Sequence, residues 1–523
     1  MTTVDTTLPT TPSDPTRMDR VDAWCERIGD ALNPILVKET RQALKSRQFV
    51  GTFSVLLVAA LAWTIIGSLS MMPQIYTSPS APRMLIGYYL VLALPMLIVV
   101  PLAAFRSLEG EIDDGTLELL SITVLSPWQI VLGKLASAML QMLLYFVALF
   151  PCVAYAYTLR GVDLPTTLLM MGMLLVAGVV LTIVALFMAP LARTRTGRIT
   201  TLLAVMMLLL GAEWMVGFLV IGMILEGNPL TSDQMLFVVT ATIGISITAG
   251  HLLLTATAGQ LTPESENRST HLRVSLMILS AVVAGLGVLG VRMLGMAGFV
   301  TLTFFAIFLA GLWTLCSAMI VAESSVMTPR IRRELPNSLL ARATLTWLTP
   351  GPASGLVFSV VNIVVITTGF VISIDLLGAR NGTFGPPVMY MAMRQLCVAY
   401  AAYLIIFLVG SRWLVALIRT RSNPRVEVGV AAVIALAMLS ALIPYAVGLH
   451  FNDYRSFSYS GWQITNWAWT LAEIGNRGNL DTIVSIVVVV AALSFFASVL
   501  LSPSLVMPRR IATPELVKAE KEG

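Results

Sequence analysis

From residue 49 onward, apolar runs of about twenty residues alternate with short polar stretches. The runs fall near 49–70, 85–105, 135–158, 167–190, 200–225 and 235–256, then near 274–296, 298–322, 351–377, 389–418, 427–449 and 482–502. A helix rises 1.5 Å per residue, so about 20 apolar residues cross a hydrocarbon core about 30 Å thick. Each run therefore predicts one transmembrane helix. The weakest boundary lies between the seventh and eighth, where only Gly295–Gly298 offers a turn.

The first 48 residues read differently. Residues 1–18 are rich in Thr, Pro and Asp and predict a disordered tail. Residues 19–48 predict cytoplasmic interfacial helices. Val21, Trp24, Ile28 and Leu32 recur at helical spacing, and Asn33-Pro34 restarts the pattern with an N-cap residue before a first-turn proline. The segment that follows, ILVKETRQALKSR, spaces Lys38, Arg41 and Lys45 along one helical side and Leu36, Thr40, Ala43 and Leu44 along another. A basic amphipathic helix of this kind suits the inner membrane surface. No cleavable leader pattern precedes the first run, which is expected to direct insertion itself.

Composition agrees with this reading and narrows it. Of 523 residues, 57% are hydrophobic and 12% charged, and the mean hydropathy is +0.85. Soluble domains are about 25% charged, so the chain has too few polar groups to coat a water-facing surface. An ordinary soluble enzyme, a disordered chain and a disulfide-stapled secreted domain are excluded. The excess of 33 Lys and Arg over 28 Asp and Glu bears on topology rather than on nucleic-acid partners. With the N-terminus inside, 26 of the 33 basic residues fall on inner segments and 7 on outer ones, as the positive-inside rule requires. The expectation is an all-α polytopic protein of the cell (inner) membrane, with about twelve spans and both termini cytoplasmic.

A shift of 223 residues lays spans one, four and five on spans seven, ten and eleven. TVLSP at 123–127 and TWLTP at 346–350 then fall at the same place in each half. A parallel six-plus-six pseudo-repeat is one reading, and chance in Leu/Thr-rich sequence is the other. The expected organisation is a six-span domain over 49–256, a cytoplasmic linker over 257–273, a second six-span bundle over 274–502 and a cytoplasmic tail over 503–523.

The inner segment 106–134, RSLEGEIDDGTLELLSITVLSPWQIVLGK, carries the most specific pattern. Glu109, Glu111, Asp113 and Asp114 are expected at the start of a short helix, where the helix dipole favours acids. Leu117, Leu120 and Val124 give that helix an apolar stripe. Ser126-Pro127-Trp128-Gln129 reads as a capping box opening the third span. Together with the elbow NPILVKETRQALKSR, this segment closely resembles the membrane subunits of ABC-2-type transporters, in which an E…GTLELL…T.LS…I.LGK stretch joins spans two and three. The resemblance covers roughly 33–256. It implies an ATP-driven transport subunit, most often an exporter, whose coupling helix docks on a separate ATP-binding-cassette ATPase. Glu111, Asp113, Asp114, Gly115, Thr116, Leu117, Glu118 and Leu119 would make that contact, with Lys38, Glu39 and Arg41 in the elbow helix. It further implies that spans one, two and five border a central path. The second half departs from the pattern: its loop 323–350 lacks the GTLELL core and carries Arg330, Arg332, Arg333, Glu334 and Arg342.

No GxxxxGK[ST] phosphate loop is present, because the only Gly-Lys, Gly133-Lys134, precedes Leu135. ATP and Mg would therefore sit on the partner, and this chain needs no cofactor of its own. Further partners are the bilayer and a second copy or second permease. Glu213, mid-span in GAEWMVG, is either a path or protonatable carboxyl or a hydrogen-bonded packing group. His251 reads as a packing residue. The methionine groups read as gap-fillers, and no metal set is apparent. The aromatic-rich outer segment 450–481 reads as an interfacial belt or as a lid. Two other function classes remain open: an ion-gradient-driven secondary transporter and a non-transporting membrane scaffold.

Overall fold

The computed structural model describes residues 34–502 apart from 74, 76, 116–125, 163, 192–194, 227–230, 264, 265, 295, 325–331, 333–337, 339–345, 381–386, 423, 456, 457, 478 and 479. Among the described residues every regular element is helical. In a bilayer there is no water to satisfy backbone groups, so a chain this apolar must close its hydrogen bonds within each segment.

Twelve helices are long and apolar enough to cross a membrane, which marks a multi-pass membrane protein. Spans one to six are Arg47–Ser70, Ala81–Asp113, Pro127–Thr158, Thr167–Leu191, Gly197–Ile224 and Ser232–Leu261. Spans seven to twelve are Ser269–Leu294, Ala297–Val321, Pro352–Asp375, Tyr390–Arg419, Glu427–Phe451 and Asp481–Leu500. All twelve coincide with the apolar runs of the sequence. The elbow helix, Pro34–Lys45, has Pro34 at its first position as expected; Asn33 lies outside the described residues.

Local chemistry sets several helix ends. Ser46 joins the elbow to span one: its hydroxyl donates to the Ala43 carbonyl at 2.7 Å and accepts from the Phe49 amide at 3.1 Å. Ser126 and Gln129 form the expected capping box at the start of span three. Thr231 and Gln234 form another at span six. Span two contains a π-helical turn over Pro95–Val99. Pro95 has no N–H to give the preceding turn, and the ladder resumes when the Val100 amide reaches the Pro95 carbonyl.

Packing divides the chain into two compact units, Met1–Pro229 and Leu230–Gly523. The first holds the elbow and spans one to five. Span one buries only Leu56, Ala60 and Gly67, and hydroxyl pairs hold it in place. Thr52 meets Tyr145 at 2.7 Å, Thr64 meets Tyr88 at 2.6 Å and Ser68 meets Tyr155 at 2.9 Å. The second unit holds spans six to twelve. Span six belongs to it because the Phe237 ring packs on Gly290 of span seven, and Gly244 faces Val282 and Leu286. Packing therefore groups five spans and seven, whereas a six-plus-six pattern concerns chain duplication, which packing does not decide.

A buried ion pair anchors the second unit. Arg273, wholly buried in span seven, donates to Glu323 just beyond span eight at 2.7 Å. It also donates to the carbonyls of Trp347 and Thr349, each at 2.7 Å, and lies over the Phe358 ring. Glu323 additionally accepts from Ser269 at 2.6 Å and from the Gly351 amide at 3.0 Å. The TWLTP fragment is thereby fixed at the foot of span nine. Removing one partner of a buried pair strands the other charge, at a cost of about 3–5 kcal/mol. Arg273→Met is expected to lower the melting midpoint of the detergent-solubilised protein steeply, and Arg273→Lys to lower it less; an unchanged midpoint for Arg273→Met would sink this account.

Candidate functional site: a charged joint between elbow and loop

The two sequence patterns that carry the resemblance meet at one side chain. Lys134, in the second turn of span three, is 1% exposed. Its ammonium donates to Glu39 of the elbow at 3.1 Å and to the Ser107 hydroxyl of span two at 2.7 Å. It also pairs with Glu111 near the end of span two at 3.1 Å. Ser107 in turn donates to the second oxygen of Glu39 at 3.2 Å, and Lys38 approaches Glu111 at 3.9 Å. Two lysines and two glutamates thus form a locally neutral cluster. Neutrality is what lets an ammonium be buried at all, since an unpaired charge there would cost several kcal/mol.

Glycine makes the approach geometrically feasible. A Cβ built at Gly133 would stand 2.8 Å from Ile35 Cγ2 and 3.3 Å from the Leu36 amide nitrogen. The Gly-Lys dipeptide therefore does two jobs: Gly133 lets the elbow lie against span three, and Lys134 bonds it there.

The acids sit differently from the sequence expectation. Glu109, Glu111 and Asp113 occupy the last turns of the span-two helix, and Asp114 caps its C-terminus. They do not open a short helix. A helix C-terminus disfavours acids, and cations from other elements offset this: Lys134 and Lys38 at Glu111, and Arg198 of span five in a salt bridge with Asp113. Gly115 then ends the helix with φ +67°, the left-handed region that glycine adopts without penalty. Its amide returns to the Ile112 carbonyl at 3.3 Å, and the Asp114 amide to Gly110 at 2.9 Å.

Of the residues expected at the ATPase contact, Glu111, Asp113, Asp114 and Gly115 lie together at this helix end. Thr116, Leu117, Glu118 and Leu119 lie outside the described residues. In the elbow, Lys38 and Glu39 join the cluster, whereas Arg41 is exposed on another side. In the sequence Lys134 stands out only as the last residue of the segment 106–134 and as part of the Gly-Lys pair. Its signal was a single lysine held within an otherwise apolar turn, IVLGKLA.

Glu213 lies away from this joint, half-buried in span five. Nearby stands Tyr89 of span two, 1% exposed, whose hydroxyl has no partner among the described residues. Tyr89 abuts Gly217, one turn beyond Glu213. His251 is exposed on span six and meets the Ser275 hydroxyl of span seven at 3.0 Å. Among the described residues no three His, Cys, Asp or Glu side chains gather as metal ligands would.

The fold and the joint define a helical multi-pass membrane protein with a charge-locked elbow. No protein-family model, curated protein or solved structure matches the chain.

If Gly133 is needed for contact, Gly133→Val must displace the elbow. The expected result is faster proteolytic cleavage between residues 33 and 46, with overpacking lowering the unfolding free energy by about 1–3 kcal/mol. Equal cleavage rates for wild type and variant would show that the elbow does not depend on this contact.

Proposed function

We propose that this chain is the membrane subunit of an ATP-driven transporter of the ABC-2 type, working as an exporter with a separate cytoplasmic ATP-binding-cassette ATPase. One observation supports the reading above the others. The elbow and the span-two-to-three segment resemble that family independently, and Lys134 bonds them to one another through Glu39 and Glu111. A docked ATPase pushing on loop 116–125 would move the end of span two, the start of span three and the elbow as one piece.

In this scheme the spans alternate between inward- and outward-open arrangements as the ATPase dimer closes and reopens. Both termini and the loop lie on the cytoplasmic side of the inner membrane, in keeping with the charge bias. A second copy or second permease completes the path. TVLSP and TWLTP each precede the third span of their half, which favours a parallel duplication. The second half keeps an anchored loop base at Arg273 and Glu323 without the acidic GTLELL sequence.

A second reading, a secondary transporter driven by an ion gradient, draws on Glu213, one turn from the Gly217 that Tyr89 abuts; the Tyr89 hydroxyl has no partner among the described residues. It predicts transport that stops when the gradient is dissipated and is lost in Glu213→Gln. The ATP-driven reading predicts that ATP depletion stops transport while gradient dissipation does not.

Mild-detergent purification should bring down a stoichiometric soluble chain bearing a phosphate loop; its repeated absence would remove the ATPase reading. Within such a complex, Glu118→Lys is expected to uncouple ATP hydrolysis from transport. Lys134→Met should do the same, with Lys134→Arg retaining most coupling. Normal coupling in both Glu118→Lys and Lys134→Met would argue against the docking assignment.

A further inference from the structure

The clamp on Lys134 fixes the roll of the elbow helix, and that decides what its other faces can touch. At 3.6 residues per turn, Ile35, Glu39 and Ala43 share the side held against spans two and three. Ile35 is buried on Gly133 and Glu39 is bonded to Lys134. Val37 and Leu44 lie on a second side, half-buried, while Arg41 and Lys45 lie beside them and are exposed. Arg47, also exposed, opens span one two residues later. The helix ends where a membrane span begins, so it lies at the headgroup level of the bilayer. Among the described residues none of Arg41, Lys45 and Arg47 has an ion-pair partner. The neighbouring acids Glu39 and Glu111 are already engaged by Lys134 and Lys38.

An apolar strip flanked by unpaired cations at headgroup depth matches one occupant. We propose that Arg41, Lys45 and Arg47 bind the phosphodiester headgroups of anionic phospholipids in the adjacent leaflet, with Val37 and Leu44 resting on the acyl boundary. The acyl boundary takes apolar side chains, and the phosphates take guanidinium and ammonium groups. A free phosphate ion would use the cations but not the apolar strip. The arrangement holds for the chain alone and does not depend on an ATPase.

The test uses the purified full-length chain in nanodiscs and fluorescent phosphatidylglycerol and phosphatidylcholine as exchange probes. Wild type is expected to retain phosphatidylglycerol selectively. Near a surface each basic residue is worth about fivefold, so Arg41→Gln or Lys45→Gln should lower the selectivity about fivefold and the double variant about 25-fold. Arg421→Gln, an exposed arginine at the end of span ten, should leave it unchanged. Unaltered selectivity in the double variant overturns the proposal, and so does an equal loss in Arg421→Gln. Displacement of the lipid by inorganic phosphate would overturn the lipid assignment. Should the double variant not purify, the single variants and a salt titration of wild type decide, because headgroup selectivity that survives about 0.5 M salt is not electrostatic.

Discussion

A buried cation in a membrane protein is an obligation placed on everything around it. The ammonium of Lys134 is out of reach of solvent, so it requires carboxylates, and those carboxylates must come from other segments of the chain. Glu39 brings the elbow and Glu111 brings the end of span two; Ser107 accepts from Lys134 and donates to Glu39. The position of the elbow, the length of the span-two helix and the exposure of the helix's basic side follow from that single requirement. Arg273 imposes the same kind of demand on the second unit, where Glu323 and two backbone carbonyls answer it.

Such clusters contribute less to net stability than to geometry. Desolvating the ions offsets most of their attraction, and the apolar contacts of the spans do not select one rotation strongly over another. A lipid-facing helix such as span one can slide or roll at small cost, since lipid and neighbouring helix are both apolar. Hydroxyl pairs with Tyr145, Tyr88 and Tyr155, and the charged joint at its foot, remove that freedom. Scarce polar groups thus supply the specificity, and abundant apolar groups supply the membrane.

This bears on how a load could pass through the first unit. Residues 116–125 lie in the sequence between the helix end at Gly115 and the capping box at Ser126. Glu111, one turn before Gly115, pairs with Lys134, about two turns after Ser126, so the two helices that flank residues 116–125 are tied to each other. Span five is tied in through Arg198 and Asp113. Farther along the same helix, Glu213 stands near the Tyr89 hydroxyl of span two. The two spans are therefore joined by an ion pair near the joint and lie against each other again where Tyr89 abuts Gly217.

Much of the fold was legible in the sequence, because span length and apolar content are set by bilayer thickness and are recorded residue by residue. The twelve spans, the first-turn proline of the elbow and the Ser126 capping box all depend on neighbours within a few positions. The acid cluster misled for the opposite reason. The acids suggested a helix start by the dipole rule, but Glu109, Glu111 and Asp113 end a helix, where cations about 20 to 90 residues away compensate Glu111 and Asp113. No local pattern contains Lys134 finding Glu39, or Arg273 finding Glu323. Sequence alone determined that this chain crosses a membrane and where. Only tertiary structure decided which of its few charges are buried together, because pairing across spans is a property of packing and not of periodicity.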